Sequence, residues 1–160
     1  MFWRIVKTAI FTLVVPGTVA LLVPQLLRKP VLDIWREATP GLLLFLVGII
    51  VYLWCAWDFV SKGLGTPAPI DAPRVLVVKG LYRYSRNPMY VGVLSMIIGQ
   101  AWVYKSPAVA WYACFVMLAF MLFVRLYEEP TLRRLFGAQY EEYCRRVPRW
   151  ILPLPRSVAK

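Results

Sequence analysis

The chain has 160 residues, room for one domain and too few for two comfortable ones. Hydrophobic residues make up 60% and charged residues 17%, where a soluble domain has about 45–50% and about a quarter; the balance argues against a water-soluble globule and excludes a disordered chain. Nineteen Lys and Arg against eight Asp and Glu leave a net charge of +11, and there is no histidine, which removes histidine triads, histidine metal sites and imidazole proton shuttles.

A membrane-spanning helix needs about 20 mostly apolar residues, and four segments qualify. The first covers about 5–27, where Pro16, Gly17 and Pro24 predict a kink or a frayed end. A signal peptide is its rival, because Arg4 and Lys7 imitate a charged leader, but no small-x-small cleavage site follows. The second covers about 41–60. Between the second and third lies the one long polar stretch, 61–87. Its first half, SKGLGTPAPIDAPR, is rich in Gly and Pro and reads as extended and turned. Its run RVLVVK (74–79) reads as a short apolar segment lying against the protein. The third and fourth spans, about 88–104 and 107–127, are separated only by Lys105 and Ser106 and predict a tight antiparallel hairpin. Residues 131–147 place Leu132, Leu135, Phe136, Tyr140, Tyr143 and Val147 at steps of three or four among charged residues, an amphipathic helix interrupted near Gly137 and lying along the interface.

The basic residues orient these spans. Fifteen of the nineteen fall on the N-terminus, the 61–87 loop and the C-terminal part, and four on the other two loops. This places both termini in the cytoplasm and accounts for most of the positive charge without nucleic acid. The expected fold is an all-α integral membrane protein of four transmembrane helices, with a cytoplasmic C-terminal cap over 128–160 in a single 1–160 domain. Cys55, Cys114 and Cys144 are odd in number, lack CxxC spacing and read as packing residues.

Two polar constellations stand on the cytoplasmic face. In GLYRYSRNPMY (80–90), Asn87 is a favoured N-cap and Pro88 suits the first helical position. Arg83 and Arg86 can simply reach lipid phosphates. Alternatively the helix start attracts an anion, and Arg86 beside it offers a two-pronged donor for a carboxylate or phosphate, with Tyr90 one turn on. In RLYEEP (125–130), Glu128 and Glu129 are oddly placed for the C-terminal end of a span. Pairing with Arg125 explains them, and so does a role for Glu129 as the N-terminal charge of a helix opening at Pro130. Ionisable groups at the hydrocarbon boundary also mark a functional site. Antiparallel topology makes the two constellations neighbours.

The segments GLYRYSRNPMYVG (80–92) and EEPTLRRLFGAQYEEYCRRVPRW (128–150), in this order around a hairpin of spans, resemble the integral-membrane methyltransferases of the isoprenylcysteine carboxyl methyltransferase and phosphatidylethanolamine N-methyltransferase group. The resemblance covers about 63–153. It implies S-adenosylmethionine as methyl donor, entering from the cytoplasm, and a lipid-like or prenylated acceptor entering from the bilayer. It implies Arg86, Tyr90 and Glu129 as catalytic residues, with Arg86 orienting the acceptor and Glu129, then Glu128, binding the donor. Tyr82, Asn87, Pro88 and Tyr90 fall on the first motif, Glu128 and Glu129 on the acidic pair, and Tyr140, Tyr143, Val147 and Pro148 on the stretch that folds over the donor; no metal is implied. The sequence departs at Asn87, where carboxyl methyltransferases usually carry His, and Asn cannot become charged. The resemblance leaves carboxylate O-methylation and phospholipid amine N-methylation both open. The rivals are an NADPH-dependent membrane reductase of the sterol-reductase type and a small non-enzymatic four-span transporter or structural subunit.

Overall fold

Two prolines shape the long helices of this protein, whose computed structural model describes residues 2–28, 39–61 and 75–150. Helix α1 (Phe2–Gly17) passes through a π-turn (Thr18–Leu22) into α2 (Val23–Leu27) without a break. Helix α3 spans Thr39–Ser61, and a 3-10 turn (Gly80–Arg83) leads into α4 (Pro88–Val103). Helix α5 (Pro107–Phe123) passes through a second π-turn (Val124–Glu128) into α6 (Glu129–Phe136), and α7 (Ala138–Arg146) follows.

Each π-turn ends two residues before a proline, at Leu22 before Pro24 and at Glu128 before Pro130. Inside an α-helix a proline clashes with the carbonyl four residues back and leaves it without a donor. The wider turn relieves the clash. At Pro24 the spare carbonyls find side-chain partners on neighbouring helices. Gln100 Nε2 donates to the Ala20 oxygen at 2.5 Å, and the Tyr112 hydroxyl donates to the Val19 oxygen at 3.0 Å. In hydrocarbon an unsatisfied carbonyl costs several kcal/mol, which gives a buried glutamine in an apolar helix a reason to be there.

Among the described residues, three helices are long and apolar enough to cross a membrane: Val6–Leu27, Thr39–Asp58 and Pro107–Phe136. The third expected span falls on α4, an apolar helix of 16 residues that is shorter than these three, about 24 Å long at 1.5 Å per residue. The fourth expected span, about 107–127, falls on a helix that runs on to Phe136, because the π-turn lets it absorb Pro130. Glu128 and Glu129 therefore sit within a continuous helix rather than at its end. The expected break of the amphipathic segment at Gly137 is present, where φ is +49°. Residues 62–74, most of the proline-rich half-loop, lie outside the described residues. The run beyond it does lie on the protein, with Val77 buried against Cys55 and Tyr82.

Helices α3 and α4 approach closely at two glycine pairs. A Cβ at Gly48 would stand 2.6 Å from the Gly92 carbonyl oxygen, and one at Gly41 2.8 Å from that of Gly99. Both pairs are spaced by seven residues on antiparallel helices, the small-residue contact by which membrane helices pack. Elsewhere large apolar side chains point outward, among them Leu13, Trp111 and Phe115, an arrangement suited to a hydrocarbon solvent. The fold thus reads as an integral membrane protein.

Candidate functional site

The 3-10 turn opens at Gly80, whose φ of +62° and contact with Asp58 leave no room for a side chain. Tyr82 turns its ring into the protein against Cys55 and Val77. Ser85 and Asn87 then set the start of α4. Asn87 occupies the N-cap position but its side chain makes no capping bond. Instead Asn87 Nδ2 donates to the Arg149 backbone oxygen at 2.9 Å, and the Ser85 hydroxyl lies 3.3 and 3.1 Å from the backbone oxygens of Arg149 and Trp150. The Arg86 amide donates to the Pro148 oxygen at 2.9 Å. Residues 147–150 are thereby strapped across the entrance of α4.

Under this strap lies a charged cluster. Glu129 is 5% exposed and receives three hydrogen bonds. Arg86 Nη1 donates to its Oε1 at 3.0 Å, Arg149 Nε to the same oxygen at 2.7 Å, and Arg149 Nη2 to Oε2 at 2.8 Å. Arg86 Nη1 also lies 2.8 Å from Cys144 Sγ, and Arg86 Nε is buried with no hydrogen-bond partner among the described residues. Two guanidiniums against one carboxylate leave the cluster positive. Beside it, the Tyr90 hydroxyl donates to Glu128 Oε2 at 3.0 Å, and the Tyr90 ring lies 4.6 Å from that of Phe120 and 6.4 Å from that of Trp150. Among the described residues, Glu128 is bonded by the Tyr90 phenol and forms no ion pair.

Helix α7 closes one side of the site. Tyr140 and Tyr143 are buried together with Val147, with Leu132 and Leu76 packed on them. The Tyr143 hydroxyl donates to the Tyr82 backbone oxygen at 2.7 Å. Burial pushes the phenols of Tyr82, Tyr140 and Tyr143 above their ordinary value, so all three keep their protons at neutral pH. The bond to Glu129 raises the Arg149 guanidinium further.

The structure therefore brings Arg86, Glu129, Tyr90 and Glu128 together at the junction of α4 with the α5–α6 rod, as the hairpin topology predicts. Tyr82, Pro88, Tyr143 and Val147 lie behind this cluster as packing and support. Pro148 acts through its carbonyl. Glu129 is engaged by Arg86 and Arg149 in place of the Arg125 pairing considered from sequence. Arg149, Ser85, Phe120 and Trp150 were not singled out from sequence; Arg149 looks there like one more cytoplasmic cation. Among the described residues no group of three or more His, Cys, Asp or Glu could hold a metal ion.

A family model described as phospholipid methyltransferase matches residues 37–139, which include Arg86, Tyr90, Glu128 and Glu129. The chain belongs to the phospholipid methyltransferase family. Its curated relatives include protein-S-isoprenylcysteine O-methyltransferase B of Arabidopsis thaliana, 37% identical over 75 residues, covering 46% of this chain and 37% of the relative. A probable protein-S-isoprenylcysteine O-methyltransferase of Oryza sativa subsp. indica is 28% identical over 136 residues, covering 81% of this chain and 66% of the relative, and its subsp. japonica counterpart matches equally. The chain thus spans two thirds or less of the length of these relatives. No solved structure matches. The family match ends at residue 139, so the strap and its Arg149 are described by this chain's own geometry.

Proposed function

We propose that this protein is a membrane enzyme that transfers the methyl group of S-adenosylmethionine to a lipid-like acceptor at the cytoplasmic face. Family membership and the names of the relatives support the activity. The observation that carries the site assignment is the buried cluster of Arg86, Glu129 and Arg149 beside the Glu128–Tyr90 pair, at one end of the apolar helices. In this reading α4 completes a four-span bundle, both termini are cytoplasmic, and the chain forms one domain.

The residues fit such a donor, which carries a carboxylate, an ammonium, ribose hydroxyls and a sulfonium. Glu129 Oε2 accepts a single bond here and keeps a lone pair for a hydroxyl or ammonium proton. The unpartnered Arg86 Nε is a donor for a carboxylate or phosphate oxygen. Tyr90, Phe120 and Trp150 present ring faces, and Glu128 a carboxylate, toward positive charge. When bound, the donor supplies a methyl carbon for in-line displacement.

The protein's task is then to hold an acceptor atom about 3 Å from that carbon, in line, with water excluded. A carboxylate acceptor needs no base, so the absence of histidine is no obstacle, and Arg86 orients it. An amine acceptor must lose a proton, and Glu128 is the carboxylate with free lone pairs to take it. The relatives' names favour a prenylated cysteine carboxylate.

The test is transfer of labelled methyl from S-adenosylmethionine by the purified protein in vesicles, with a prenylcysteine analogue or an ethanolamine phospholipid as acceptor. Base-labile label in the organic phase identifies a methyl ester, and base-stable label an N-methyl group. No transfer to either acceptor contradicts the proposal.

A further inference from the structure

Arg149 is tied at both its side chain and its backbone. Its guanidinium grips both oxygens of Glu129, at 2.7 and 2.8 Å. Its carbonyl oxygen receives Asn87 Nδ2 at 2.9 Å, and the Ser85 hydroxyl lies 3.3 Å away. The neighbouring Pro148 carbonyl holds the Arg86 amide. The strap is thus anchored to the entrance of α4 by carbonyls and to α6 by one charged fork. Arg86 bonds only one Glu129 oxygen, through a nitrogen shared with Cys144. Arg86 alone therefore leaves the carboxylate free to rotate about its last bond, whereas a planar fork on both oxygens fixes that rotation.

We propose that Arg149 is a positioning residue for the methyl donor: it fixes the plane of the Glu129 carboxylate and so selects which lone pair faces the bound donor. The inference rests on the reading that Glu129 meets the donor. Among the described residues Oε1 accepts from both Arg86 and Arg149, and Oε2 accepts from Arg149 alone, which leaves one lone-pair direction of Oε2 unbonded. A donor hydroxyl or ammonium uses that direction without displacing either arginine. Arg149 itself stands at the edge of the site, its side chain 37% exposed, while Glu129 stays buried.

Lysine keeps the charge of Arg149 but cannot bond both oxygens in one plane. In Arg149→Lys the dissociation constant for S-adenosylhomocysteine, read by calorimetry in detergent, and the KM for S-adenosylmethionine both rise about tenfold or more, the scale of one lost charged hydrogen bond. The kcat at saturating donor and the KM for acceptor stay within about threefold. Arg149→Ala shows a larger loss of donor affinity that millimolar ethylguanidinium partly restores. Arg146→Ala, which removes an exposed pair with Glu142, is the control and leaves donor affinity unchanged. Unchanged donor affinity in Arg149→Lys overturns the inference, as does a fall in kcat without a change in donor KM. If the unsubstituted protein binds no donor, the proposed function fails and this inference with it. Binding by the unsubstituted protein and equally by Arg149→Lys overturns this inference alone.

Discussion

Arg86→Ala separates the two roles its position implies, holding the site together and orienting the acceptor. The substitution removes the 3.0 Å bond to Glu129 and the 2.8 Å contact with Cys144. Glu129 keeps both bonds from Arg149, so the full penalty of stranding a buried charge, roughly 3–5 kcal/mol, is not reached. The loss of one hydrogen bond between charged groups, about 1.5–3 kcal/mol, is the appropriate scale. At roughly 2–4 °C per kcal/mol for a chain of this size, the unfolding midpoint in detergent falls by about 3–12 °C. Turnover falls much further, by about 10²-fold or more, the scale of removing a preorganised donor from a reacting oxygen. Donor affinity changes less than turnover, because Glu129 and Arg149 remain. The assays are thermal unfolding, donor calorimetry and methyl transfer at saturating donor on one preparation. Turnover within fivefold of the unsubstituted protein refutes the role given to Arg86, and so does a donor affinity that falls as far as turnover does.

Other expectations follow from the same geometry. Gly48→Leu places a side chain where a Cβ already meets the Gly92 oxygen and Met96; the α3–α4 contact then opens, and the yield of monodisperse protein in detergent drops severalfold, whereas Leu46→Ala on the exposed face of α3 leaves it unchanged. A Gly48→Leu protein with the original midpoint contradicts the packing argument. Tyr82, Tyr140 and Tyr143 have phenols raised by burial, so the folded state holds their protons more tightly than the unfolded chain does. Their contribution is complete below the unfolded tyrosine value near 10 and is lost as pH climbs through the higher folded values. The unfolding midpoint therefore falls steeply above about pH 10, and Tyr140→Phe flattens that fall; a midpoint level between pH 9 and 11.5 contradicts it.

Much of this architecture is written in local pattern. The apolar runs locate the helices, Asn87-Pro88 marks the start of α4, and Gly137 marks the break between α6 and α7 because a left-handed turn suits glycine. The meeting of Arg86 with Glu129 follows from one short hairpin, which forces the start of α4 and the far end of α5 to the same side. The π-turns are hidden because hydropathy does not register one extra residue in a turn. Their prolines are visible, but whether a proline breaks or widens a helix depends on donors from other helices, here Gln100 and Tyr112. The glycine pairs of α3 and α4 acquire meaning only once the antiparallel register is known. Asn87 reads locally as a cap, and its actual partner is a carbonyl 62 residues away. Arg149 is hidden for the same reason: nothing in VPRW distinguishes it until the strap folds back onto Glu129.

The central claim is that a charged methyl donor is held at the meeting point of α4 and the α5–α6 rod. The most direct measurement is ligand-induced thermal shift and calorimetry in detergent, with S-adenosylmethionine, S-adenosylhomocysteine and NADPH, on the unsubstituted protein and Glu129→Gln. The account predicts stabilisation by the first two ligands and none by NADPH, with binding weakened at least tenfold in Glu129→Gln, the scale of a lost charged hydrogen bond. Stabilisation by NADPH alone, or equal donor affinity in Glu129→Gln, contradicts it.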